Sequence, residues 1–237
     1  MNSPIPICCC LATILATASI HAQGTFQNLD FESAGIPVGY PPGSDNVPIS
    51  AALPGWNGLY GNIPTSQVWY DGISTGGAVI SVIDAQAPAF APLQSTYSAF
   101  LFGGPYMSPT LVSAGISQIG VVPAGTQSLF FDGYVTGAPF VVTLGGQTIT
   151  MSPLESFPNS GSEPPYTLYG GNIPLTFAGQ SEILSFTEPP ATGVQPSMFE
   201  LDNIAFSPQS VPEPNPLALT GFGALLLALY RRFARDE

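Results

Sequence analysis

Carboxylates and aromatic rings are the side chains of this 237-residue chain that could do chemistry. Between Gln23 and Ser210 there are twelve Asp and Glu, and no Lys, Arg, His or Cys. Ser-His-Asp and Cys-His sites need an imidazole, so both are excluded there. Thiol nucleophiles, disulfides and Cys/His zinc sites need cysteine. Schiff-base chemistry needs lysine, and phosphate-rich partners need cations, which excludes nucleic acid as a partner. Two carboxylates about 5–10 Å apart can act as acid and base or nucleophile on a glycosidic bond. Asp71, Asp84, Asp132, Glu155 and Glu182 are candidates for such a pair, and nothing in their spacing selects two of them. Carboxylates and carbonyls can also hold Ca²⁺, which takes six to eight oxygens. Aromatic rings can stack on sugar faces; the candidates are Trp56, Tyr60, Trp69, Tyr70, Tyr106, Tyr166 and Tyr169. Trp56 and Tyr60 lie in a Gly/Asn-rich stretch and are the predicted surface contacts, whereas Trp69 in Gln67-Val68-Trp69-Tyr70 reads as core.

The elements that must position these groups are short strands. A hydrophobic content of 45% argues for a folded chain, and 26 Gly with 26 Pro argue for many turns. Predicted strands cover 26–31, 67–70, 78–83, 97–102, 116–121, 128–134, 140–144, 147–151, 167–169, 182–186 and 199–206, most of them rich in β-branched or aromatic residues. Gly145-Gly146 predicts a two-residue hairpin turn. Long loops are predicted at 34–57 and 152–165. No segment of the body has a capped helical period, so the expected fold is an all-β jelly roll or β-sandwich over residues 23–210. Strand alternation places Asp202 on the face shared with Ile204 and Phe206, toward the core. A buried carboxylate needs a partner, and with no cationic side chain available it must take a metal ion, backbone N–H groups or a proton.

The two ends read as addresses. Residues 1–22 form a secretory signal with an apolar stretch and small Ala22 as the cleavage residue; a retained membrane anchor and a misassigned start are the alternatives. At the other end, Val211-Pro212-Glu213-Pro214 precedes an uncharged segment from Pro216 to Tyr230 and then Arg231, Arg232 and Arg235. A helix over 217–233 would span roughly 25 Å at about 1.5 Å per residue, slightly short of the hydrocarbon core of about 30 Å. The arginines place the tail in the cytoplasm and the body outside.

Pro212-Glu213-Pro214, the apolar run and the arginine cluster together resemble the PEP-CTERM sorting signal of Gram-negative bacteria. That resemblance covers residues 211–237. It implies transient anchoring in the inner membrane, recognition and removal of the tail by an exosortase, and delivery to the cell surface or an exopolysaccharide matrix. A permanent single-pass anchor is the alternative. Within the body, Asn28-Leu29-Asp30-Phe31-Glu32-Ser33, Leu53-Pro54-Gly55-Trp56 and Leu201-Asp202-Asn203-Ile204 resemble the opening and closing strands of carbohydrate-binding-module jelly rolls. That resemblance implies a structural Ca²⁺ at Glu32 and Asp202, and Asp30 is a further candidate ligand. The resulting expectation is an exported, non-catalytic surface or matrix protein with a structural or adhesive role. The alternatives are a carbohydrate-binding module with a defined glycan and a secreted carboxylate-dependent glycoside hydrolase.

Overall fold

The computed structural model describes residues 25–73, 76–88, 90–105, 110–137, 139–159, 164–190 and 197–212. The predicted signal at 1–22 and the predicted sorting residues Glu213, Pro214, Arg231, Arg232 and Arg235 lie outside them; Pro212 is exposed at their edge. No helix among the described residues is long and apolar enough to cross a membrane.

The strands, in chain order, are β1 (Ser44–Pro48), β2 (Asn57–Tyr60), β3 (Ile63–Thr65), β4 (Gln67–Tyr70), β5 (Val79–Ile83), β6 (Ser98–Phe102), β7 (Gly104–Pro105) and β8 (Leu111–Val112). They continue with β9 (Ala114–Val121), β10 (Ser128–Thr136), β11 (Val141–Leu144), β12 (Gln147–Ile149), β13 (Ser152–Phe157), β14 (Tyr166–Asn172), β15 (Ser181–Glu188) and β16 (Met198–Ser207). An eight-stranded sheet runs β1-β4-β5-β6-β16-β10-β14-β13, and a six-stranded sheet runs β12-β11-β15-β9-β2-β3. Only β4 and β5 pair in parallel within these two sheets. One helical turn, Ile49–Ala52, and one 3-10 turn, Leu175–Phe177, interrupt the strands.

The main core lies between the sheets and is strongly aromatic. Phe131 is fully buried, with ring centroids 5.3 Å from both Phe140 and Phe186, 5.4 Å from Tyr169 and 5.7 Å from Phe199. Burying a ring of this size contributes about 1.5–3 kcal/mol. Strands β9 and β15 bury alternate residues, as a sheet with one open face should. Strands β5 and β6 are buried at every residue, because residues 84–97 cross the outer face of the large sheet. Phe90 packs at a 45° tilt against Phe100, with ring centroids 5.1 Å apart, and Ile73, Ala87, Trp69 and Met198 complete a second, smaller apolar cluster with Val79, Ile83 and Phe102. Trp69 is therefore a packing residue, half-buried in this second cluster rather than in the main core.

Several sequence expectations change here. Gly145 and Gly146, with φ of +57° and +76°, turn β11 into β12 as predicted. Residues 26–31 are not a strand: Asn28 and Phe31 have φ of +50° and +56°, and Asn28 closes a turn by accepting the Ser33 N–H at 2.8 Å. The opening segment still meets the closing strand, because the Ile204 N–H donates to the Leu29 carbonyl at 2.9 Å. Both predicted loops contain strands: β1 lies within the first and β13 within the second. β13 is an edge strand, where Pro153 is tolerated. The alternation of β16 breaks at Asn203, with φ of +48° and a register shift opposite Phe130–Asp132. Phe199, Leu201, Ile204 and Phe206 all enter the main core. Asp202 therefore shares a face with Glu200, away from that core, not with Ile204 and Phe206.

Both ends of the described body emerge at one pole. The Thr25 N–H donates to Val121 at the end of β9, and Val211 N–H donates to Asn172 at the end of β14.

Candidate functional site

The far halves of β10, β14 and β13 lie at the opposite pole. There Tyr134, Tyr166 and Phe157 project from the outer face of the large sheet. Phe157 and Tyr166 are register partners, with rings 4.7 Å apart and inclined by 18°. With Tyr134, Pro158, Pro165 and Tyr169 they line an open groove of about 380 Å³. All three outer rings are only partly buried.

A polar network adjoins this groove. Gln94, from the crossing segment, donates through Nε2 to the Tyr166 hydroxyl at 2.6 Å and to Asp132 Oδ2 at 3.0 Å. Asn203 Nδ2 donates to Gln94 Oε1 at 2.9 Å and to Asp132 Oδ2 at 3.1 Å. Burial pushes the Asp132 carboxyl up, and the Asn203 hydrogen bond offsets part of that. The stacked rings of the groove are thus flanked by a network of amide, hydroxyl and carboxylate groups, joined to it through the Tyr166 hydroxyl. Such a surface can cover the C–H face of a sugar while satisfying its hydroxyls.

Asp132 is directly opposite Asp202 in the ladder. Burial pushes Asp202 up to about 8; the amides of Asn203 and Gln94 lower it, and the charges of Asp132 and Glu32 raise it further. Asp202 Oδ2 is buried and has no hydrogen-bond partner. Glu32 Oε1 accepts the Thr96 and Tyr97 N–H groups at 2.9 and 2.8 Å. The fold thus brings Glu32 and Asp202 within electrostatic reach of one another. Asp30 does not join them: it is exposed, and its Oδ1 accepts the Glu32 N–H at 3.3 Å. No three acidic residues gather into a metal-binding group among the described residues. Ca²⁺ at Glu32 and Asp202 would need carbonyl or solvent oxygens beyond these two carboxylates, and the unpartnered Asp202 oxygen is the observation that fits it.

The other buried carboxyls stand apart from the groove. Asp84 accepts from the Tyr70 hydroxyl at 2.7 Å and from Gln86 N–H at 2.6 Å, and its own N–H donates to Asp71 Oδ1 at 2.8 Å. Burial is the main cause that raises Asp71 to about 7, and burial also raises Tyr70. Ser197 donates to Glu188 and Ser98 to Glu200; burial pushes these carboxyls up to about 7 and about 8. Of the remaining hydrolase candidates, Glu155 is exposed on the edge strand and Glu182 is half-buried beside Gly145. Among the described residues, neither the aromatic groove nor a second, apolar one of about 360 Å³ around Phe140, Ile149, Met151 and Tyr169 has a carboxylate in its lining.

Trp56 and Tyr60 are not surface contacts. Trp56 is 3% exposed, packs against Phe31 and Phe186, and donates from Nε1 to the Asn28 carbonyl at 3.0 Å. Tyr60 is 5% exposed, and its hydroxyl accepts the Ile80 N–H at 3.1 Å. Their Gly/Asn-rich surroundings form β2 and the turn before it, which pack inward. Tyr106 lies outside the described residues. The groove instead uses Tyr166 and Tyr169, which the sequence singled out, with Tyr134 and Phe157, which it did not; Gln94 and Asn203 beside it were not singled out either. The available signal was Phe157-Pro158 and Pro165-Tyr166, an aromatic–proline pair on each side of one connection.

No family model matches this chain, and no curated protein matches it. Among solved structures, that of TmCBM61 in complex with beta-1,4-galactotriose is 13% identical, with a TM-score of 0.37, and the match covers 78% of this chain and 98% of that one.

Proposed function

We propose that this chain is an exported, non-catalytic surface or matrix protein whose β-sandwich holds a polysaccharide in the groove of Tyr134, Phe157 and Tyr166. The stacked Phe157–Tyr166 pair beside the Gln94–Asp132–Asn203 network is the observation that carries this reading. Among the described residues no carboxylate lines the groove, and the reading rests on the rings that do. The cationless body favours glycans without acidic groups, because an anion would find no compensating charge. In this reading the residue 1–22 signal and the tail with Pro212-Glu213-Pro214 and its arginines provide export and exosortase sorting. Affinity electrophoresis against neutral polysaccharides tests the groove. Tyr166→Ala and Phe157→Ala should each weaken retention about tenfold, since a stacked aromatic contact is worth about 0.5–1.5 kcal/mol beyond its area. Equal retention of parent and variants removes the groove from the account.

A structural Ca²⁺ at Glu32 and Asp202 belongs to the same reading, and the unpartnered Asp202 oxygen supports it. Melts with calcium and with chelator should differ at pH 8.5 and converge near pH 5, where Asp202 keeps its proton. Superimposable melts at both values reject the ion.

A further inference from the structure

We propose that the outer face of the six-stranded sheet is the surface through which two copies of this chain associate. Cross-strand register lines up Thr148, Thr143, Ser185, Ser117 and Asn57, one per strand across five strands. One rung nearer the pole where the described chain ends emerge, Ile119 and Ile183 are paired and stand 68% and 49% exposed. Among the described residues no charged side chain projects from this face: Glu182 and Glu188 of β15 occupy inward positions, in phase with buried Leu184 and Phe186. The chain as a whole carries a formal net charge of −12.

The occupant follows from that contrast. Two copies approaching through acidic surface repel each other, and a cationic partner would settle on that acidic surface rather than here. A hydroxyl both donates and accepts, so a row of Ser, Thr and Asn is complementary to an identical row. The Ile pair supplies an apolar anchor beside it. Two such faces can pack about 10 Å apart around a twofold axis. Six strands of three to eight residues, at about 4.8 Å spacing and about 3.3 Å per residue, make a patch on the order of 500 Å², smaller than the ~800 Å² per partner of a standard stable interface. The association is therefore weak and concentration-dependent, and salt strengthens it by screening the remaining acidic charge.

Sedimentation velocity on the full chain in mild detergent tests this, because any contribution of the tail is common to every variant. The parent should shift from one copy toward two as concentration or salt rises. Ile119→Asp should weaken pairing at least tenfold, and Ile183→Ser, which adds no charge, should weaken it in the same direction. Val38→Asp, at an exposed residue off both sheets, should pair like the parent. A parent that stays single at every concentration overturns the proposal, as does an Ile119→Asp chain that pairs normally. Single copies combined with Ile119-dependent retention on a polysaccharide would assign the face to a glycan and also overturn it.

Discussion

On the eight-stranded sheet, the outward residues Asp132, Glu200 and Asp202 are buried where residues 84–97 cross them. On the six-stranded sheet, the outward Ile119 and Ile183 stand exposed and Thr143 and Ser117 are only half-buried among the described residues. The acidic side is the covered one and the neutral side is the open one. A buried acid without a cationic side chain nearby is most easily held as the neutral acid, so the covered face is linked to protons. The open face has nothing to titrate. The two outer faces of one sandwich should therefore respond differently to the same change of solution.

The largest expected effect is on pH dependence. Asp71 and Glu188 are raised to about 7, and Glu200 and Asp202 to about 8, in each case chiefly by burial. Their folded pKa values exceed their unfolded ones, so the folded state holds more protons between about pH 4 and 8. Stability then falls as pH rises through that window and levels off above it, by several kcal/mol in order of magnitude for the four together. Melting temperatures from pH 4 to pH 9, taken without divalent cations, check this; a rise toward neutrality breaks the contrast between the faces.

A smaller effect is expected from Glu200→Gln, which keeps the shape of the side chain and cannot ionise. It should stabilise the fold at pH 8 by about 1–3 kcal/mol and leave it nearly unchanged at pH 5, as denaturant titrations at the two values would register. Equal changes at both values would separate Glu200 from the proton linkage. The smallest effect is on the open face, where Thr143→Val should change stability by less than about 0.5 kcal/mol at either pH. A pH-dependent change there would show that the two faces are coupled.

The composition of the chain made the covered face legible in part. An acid buried in a body without cations had to take an amide, a proton or a metal ion, and Asp202 and Glu200 are met by a backbone N–H and a serine hydroxyl group. The short-strand pattern and the Gly145-Gly146 turn made the architecture legible. The phase of β16 was not legible, because one residue at positive φ, Asn203, shifts every side chain after it. Trp56 and Tyr60 misled for a related reason: glycine and asparagine mark turns, but here the turn leads directly into an inward-packed strand. β13 was hidden by Pro153, and with it went Phe157, the ring that completes the groove. Residue type indicated which groups were present, and only cross-strand register showed which of them meet.

The entry and exit of the described chain at a single pole have a mechanical consequence. Strand β10 runs nine residues from that pole toward the groove, a distance of about 30 Å at roughly 3.3 Å per residue. A body held by either end, or by both, carries Tyr134, Phe157 and Tyr166 at its far tip. Releasing one attachment would leave that reach unchanged.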